Sequence, residues 1–168
     1  MSLLREIKGR KLSPREFAGE LERLGAGLRR QIEASVEGFR TDEAERAARR
    51  KAVADPKTGF EYFARTYFPH YVKSAPSRLH AHLYADLPAM LTRDAAAGRK
   101  GHRKLKIAPR GAAKSTLVSQ IFVMWCALLR LKRFEVVVMD TYEQAALMVE
   151  AIKVEIESNP RLAYDWPE

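Results

Sequence analysis

Leu105-Lys106-Ile107-Ala108-Pro109-Arg110-Gly111-Ala112-Ala113-Lys114-Ser115-Thr116 is the stretch on which the fold of this 168-residue chain turns. Residues 105–108 suit a short buried strand, residues 109–113 a turn, and Lys114 opens a helix that runs on through the apolar segment 121–131. Strand, loop and helix in that order form a phosphate site, because loop N–H groups and the positive end of the helix dipole converge on the anion. Lys114 supplies a cation for the terminal phosphoryl groups and Ser115 a hydroxyl for Mg2+. The general pattern G-x-x-x-x-G-K-[ST] fails at both glycines, since Ala108 and Ala113 stand there. Alanine is small enough for a close phosphate approach but resists the positive φ that glycine adopts freely, and Gly111 is the flexible residue left inside the loop. Spacing alone leaves two readings open: a nucleotide site, or a strand–turn–helix corner with an incidental lysine.

The charge surrounding the loop favours an anionic partner. The chain carries 30 basic and 21 acidic residues, a net charge of +9, distributed unevenly. Residues 1–58 hold 14 basic and 10 acidic side chains, residues 59–116 hold 11 and 3, and residues 117–168 hold 5 and 8. The excess peaks in the connector 99–106 and the loop itself, which suits nucleotide phosphates or a nucleic-acid backbone; a basic surface without a specific partner is the alternative.

Further upstream the pattern is helical. Ser13-Pro14-Arg15-Glu16 reads as an N-cap, a proline at the first helical position and a capping box, and Phe17, Leu21, Leu24, Leu28 and Ile32 continue one apolar stripe. A second helix is expected from Thr41-Asp42-Glu43 to just before Asp55-Pro56, with Arg46, Arg49, Arg50 and Lys51 read either as a contact for DNA or a subunit or as a solvated face. Residues 55–59 look like a boundary, dividing a basic helical region, 1–58, from residues 59–168. Phe60, Phe63, Ala64 and Tyr67 recur at helical spacing and are expected in the core. Ser77 is expected to cap a helix on which Leu79, Leu83 and Leu87 share a face, kinked or broken by Pro88. His80 and His82 are two apart, which points them in different directions and argues against a metal site. The lone Cys126 sits in an apolar run and reads as a buried thiol. The longest apolar run, 121–129, is too short to span a bilayer, and the first 12 residues lack a signal-peptide pattern, so a cytoplasmic protein is expected.

Ala108-Pro109-Arg110-Gly111-Ala112-Ala113-Lys114-Ser115-Thr116 resembles the variant Walker A loop of phage terminase large subunits, in which an arginine early in the loop precedes the lysine. Residues 133–145 are similar to that family's next strand and the turn after it, and residues 152–167 to the segment that follows; Phe68-Pro69-His70 and residues 79–83 add weaker likeness. The resemblance implies an α/β fold with a RecA-like P-loop ATPase core, here incomplete, behind the helical N-terminal region. It implies a bacteriophage DNA-packaging motor that couples ATP hydrolysis to translocation of double-stranded DNA into the capsid. Pro109, Arg110, Gly111, Ala112, Ala113, Lys114, Ser115 and Thr116 would then hold ATP, Lys114 on the β and γ phosphates, Arg110 at the γ phosphate and Ser115 on Mg2+. The terminase small subunit, the capsid portal and a homo-oligomeric ring of this chain are the further partners implied.

Phosphoryl transfer also needs an acid to hold the metal and a carboxylate to position water. Asp140, at the end of Val136-Val137-Val138-Met139, is read chiefly as a strand-end or capping residue before the next helix, with Glu150, Glu155 and Glu157 on a solvated helix face. Without a convincing acidic strand the chain reads as the N-terminal part of a longer enzyme, expected to bind ATP and to turn it over poorly alone. A non-catalytic DNA-binding or subunit-docking module is the competing reading.

Overall fold

The computed structural model describes residues 12–40, 42–97, 104–109 and 111–167, without the side chains of 92–97. The elements are α1 (Pro14–Ser35), α2 (Glu43–Val53), α3 (Gly59–Tyr67), α4 (Arg78–Ala97), a π-helical turn (Thr116–Ile121) continued by α5 (Phe122–Leu128), α6 (Tyr142–Ser158) and α7 (Pro160–Asp165). The expected α/β, RecA-like core is therefore corrected: the protein is all-helical, 66% helix, and no described residue belongs to a strand. Residues 104–109 and 132–139 form neither helix nor strand, and neither segment makes a backbone hydrogen bond to another described residue. A strand exists only through its ladder, and among the described residues these two segments have no neighbour to pair with. Their apolar side chains face outward instead: Leu105 is 83% exposed, Ile107 85%, Phe134 84% and Val138 82%.

The helix starts follow local chemistry. Ser13 Oγ accepts from the Glu16 N–H at 3.3 Å and the Glu16 carboxylate accepts from the Ser13 N–H at 2.9 Å, the reciprocal cap expected from the sequence. Asp42 caps α2 by accepting from the Glu45 N–H at 2.9 Å, while Thr41 lies outside the described residues. Asp55 Oδ1 closes the next turn by accepting from the N–H groups of Lys57 and Thr58, 2.8 and 2.7 Å. Gly59 then lets α3 pass against α2, since a Cβ there would stand 2.2 Å from the Val53 carbonyl oxygen. Pro88 is buried inside α4, which continues through it to Ala97.

One core holds α3, the ends of α2 and α4, and the helix after the loop. Phe60, Phe63, Ala64, Tyr67, Leu83, Ile121 and Met124 are almost fully buried, and the rings of Phe60 and Phe122 meet edge to face at 5.0 Å. Each such aromatic removes about 150–250 Å² from water, the largest single contributions to folding here. Trp125 donates its indole N–H to the Val53 carbonyl at 3.0 Å, so the loop helix is keyed onto α2. Cys126 is buried, as expected, and burial pushes its thiol up to about 12. A smaller cluster, Ile32, Val36 and Val154 with Leu28 against it, fastens α1 to α6.

Two polar knots lie inside this apolar frame. Asp165, fully buried, accepts from Arg49 Nε and Nη2, both at 2.8 Å, and from the Tyr67 hydroxyl. His70 Nε2 stands 2.7 Å from Glu155 Oε1, and Asn159 Nδ2 donates to Glu155 Oε2 at 3.1 Å and to the Tyr67 carbonyl at 2.8 Å. Glu155 thus departs from the solvated face expected of it, because its partners come from residue 70 and from the next helix start. Among the described residues, no helix is long and apolar enough to cross a membrane.

Candidate phosphate-binding loop

The loop is delivered by residues 104–109 and anchored by α4. Asp86 receives the ammonium groups of both Lys104 and Lys106, and these contacts, Lys104 first, hold its carboxyl down at about 2. Lys106 also donates to His82 Nε2 at 3.0 Å. Two cations of the basic connector are thereby spent on the scaffold and are not offered to a ligand.

The turn itself carries two residues of positive φ. Gly111 sits at φ 82° and Ala113 at φ 49°, both left-handed, on either side of Ala112. Alternating left-handed residues turn successive N–H groups toward one side, which is how backbone nests hold anions. Ala113 accepts this conformation without the freedom of glycine, at a cost of roughly 1–2 kcal/mol. Its carbonyl accepts from the Leu117 N–H at 3.0 Å, and the helix begins at Lys114. The Lys114 side chain is half-buried and has no hydrogen-bonded or ionic partner among the described residues. Ser115 is exposed at the helix start, Thr116 is half-buried and opens the π-helical turn, and Pro109 is exposed. Arg110 lies outside the described residues. In the π turn the Phe122 N–H reaches the Leu117 carbonyl, one residue further than in an α-helix; such turns are frequent beside functional sites.

A cavity of ≈ 190 Å³ adjoins the loop, lined on one side by Gly111, Ala113 and Thr116 and on the other by Tyr71, Lys73 and Tyr84. Tyr71 accepts a hydrogen bond from Gln120 of the loop helix at 3.2 Å, which fixes that wall. Lys73, exposed at its rim, is a cation that the motif reading had not brought to this place.

His80 was read from the sequence as a poor metal ligand within the weakly similar segment 79–83, yet it touches the loop. Its Nε2 donates to the Ala112 carbonyl at 3.0 Å. The overlooked signal is Ser77-x-x-His80, a helix start in which histidine takes the place usual for glutamate. Ser77 Oγ accepts from the His80 N–H, and His80 Nδ1 accepts from the Ser77 N–H, each at 3.3 Å.

The remaining sequence candidates lie elsewhere. Arg49 is engaged by Asp165 and lies 4.0 Å over the Phe39 ring, Arg46 donates to Glu43 and to the Asp165 carbonyl, and Arg50 stands over Trp166. Those three arginines are thus tied up inside the protein rather than arrayed for a ligand, while Lys51 is exposed. Asp140 is exposed, and the cap of α6 is Thr141, whose hydroxyl accepts from the Gln144 N–H at 3.3 Å. No three His, Cys, Asp or Glu side chains among the described residues are grouped to hold a metal ion. Comparison with protein-family models, curated proteins and solved structures finds no match to this chain.

Proposed function

We propose that residues 108–116 bind the polyphosphate of ATP with Mg2+, and that the chain is the ATP-binding part of a phage DNA-packaging motor of the terminase type. One observation carries the first half: Gly111 and Ala113 take up left-handed backbone immediately before an unpartnered Lys114 at a helix start. Ala113 departs from the usual glycine yet adopts the conformation for which glycine is used, which answers the chief objection from the motif. The residues fit the ligand in kind. Loop N–H groups and Lys114 match phosphate oxygens, and the Ser115 hydroxyl suits Mg2+ held jointly with phosphates. The second half rests on the likeness of residues 108–116 to the variant Walker A loop, and double-stranded DNA and a ring of subunits belong to that half.

Binding is the function this geometry supports best, with turnover weak. No described acidic cluster stands ready to hold a metal or orient water. The test is a titration of the chain with Mg2+ and a fluorescent ATP analogue, run beside Lys114→Ala. Saturable binding that the variant loses supports the proposal; equal or absent binding in both sinks it.

Subunit docking without nucleotide is the second reading, favoured by the outward rows Leu105 and Ile107, and Phe134, Val136 and Val138. Its DNA-binding version is weakened by the internal engagement of Arg46, Arg49 and Arg50.

A further inference from the structure

We propose that His80 is a positioning residue that aims the phosphate loop, an inference that rests on reading residues 108–116 as a phosphate site. Both ring nitrogens of His80 are assigned by their partners. Nδ1 faces a backbone N–H, that of Ser77, and therefore accepts; Nε2 faces a carbonyl, that of Ala112, and therefore donates. These two partners select the tautomer with its proton on Nε2. The capping arrangement at the start of α4 locks one edge of the ring, so the other edge is presented to the loop at a fixed place.

Holding the Ala112 carbonyl has a consequence one atom along. That carbonyl and the Ala113 N–H belong to one planar trans peptide, in which they point in opposite directions. Tying the oxygen to α4 fixes the Ala113 N–H on the opposite edge of that peptide, pointing away from the His80 ring. A peptide free to flip would present its oxygen to a phosphate as often as its N–H, and an oxygen there repels the ligand. His80 thereby selects the orientation that donates. The left-handed φ of Ala113 is held at the same point, since the hydrogen bond fixes the peptide preceding it. Asp86, six residues along α4, ties the approach to the loop to the same helix through Lys104 and Lys106.

Substitution separates this role from helix capping. Glutamine carries an acceptor and a donor spaced much like Nδ1 and Nε2, so His80→Gln can keep both contacts. Glutamate is the better capping residue but sets a carboxylate against the Ala112 carbonyl. Alanine loses both contacts. Binding of Mg2+·ATP by the full chain is measured by calorimetry for the parent, Lys114→Ala, His80→Ala, His80→Gln and His80→Glu, with thermal midpoints and the Ala113 amide resonance followed in parallel. The expected result is about 10-fold weaker binding for His80→Ala, the scale of one positioned hydrogen bond, with near-parental binding for His80→Gln. His80→Glu is expected to keep the parental midpoint and still bind weakly, with a defect that persists in high salt, where a pure field effect would be screened. The Ala113 amide should shift on ligand addition in the parent and in His80→Gln only. Parental affinity for His80→Ala, or equal loss in the glutamine and alanine variants, overturns the role of His80 while leaving the site intact. Absence of Lys114-dependent binding in the parent overturns the site reading, and this inference with it.

Discussion

Arg49→Met should be the most damaging single change on the surface of α2. The guanidinium is 11% exposed and makes two 2.8 Å bonds to a carboxylate, Asp165, that is 0% exposed. Its removal leaves Asp165 with the Tyr67 hydroxyl as its remaining side-chain donor among the described residues, and the Tyr67 ring itself packs against Phe39, Phe63 and Trp166. Deleting one partner of a buried ion pair costs about 3–5 kcal/mol, and loss of the cation over Phe39 adds about 0.5–1 kcal/mol. Set against a total stability of roughly 5–15 kcal/mol, a loss of about 4 kcal/mol removes between about a quarter and four-fifths of it. For a chain of this size the thermal midpoint should fall by about 8–16 °C. Urea unfolding followed by tryptophan fluorescence reads the change directly, since Trp125 and Trp166 both lie in this core. The control is Arg49→Met with Asp165→Leu, which removes both charges and should recover most of the loss. A single-variant cost under about 1 kcal/mol, or a double variant as unstable as the single, would refute the argument that an unpaired buried carboxylate is the source.

Three further outcomes follow from other sites. Ala113→Gly should stabilise the chain by about 0.5–1 kcal/mol, the relief of left-handed strain exceeding the entropy gained by the unfolded chain, and chemical denaturation checks it. Asp86 is held at about 2, below the usual 3.8, by Lys104 and then Lys106, so its contribution is present above pH 4 and lost as pH falls from 4 toward 2; Asp86→Asn should flatten that acid limb of the stability curve. Burial alone raises the Glu135 carboxyl, and neither oxygen has a partner among the described residues, so its charge opposes folding above the ordinary carboxylate range; Glu135→Gln should raise the midpoint at pH 7 and converge with the parent at pH 3.

Local chemistry was legible in the sequence, and remote partnership was not. Ser13-Pro14-Glu16 and Asp42 start helices by contacts within three residues, and Phe60, Phe63, Ala64 and Tyr67 bury one helix face whose period is written in the chain. Glu155 looked solvated because the residue that buries it, His70, is 85 positions away. The arginines of α2 looked like a solvated or a binding face for the same reason, Asp165 lying 116 positions from Arg49. Residues 105–108 and 136–139 carried strand-like composition, but a strand is decided by its neighbour, and none of the described residues pairs with them. At the loop, Lys114 and Ser115 could be placed from spacing, whereas the contact of His80 with Ala112 crosses 32 residues and was signalled only by the capping spacing from Ser77.

Residues 104–109 and 132–139 set how this protein behaves in a crowd of its own copies. Each offers backbone donors and acceptors with no partner among the described residues beside a row of exposed apolar side chains, a place where another chain can add a strand at about 4.8 Å. The net charge of +9 opposes that approach over about 10 Å at 0.1 M salt and over only about 3 Å at 1 M. Dispersion of the protein in water is therefore an electrostatic matter: added salt shortens the repulsion until it no longer reaches past the distance at which edges join, and light scattering should climb with ionic strength, first through Leu105, Ile107, Phe134 and Val138.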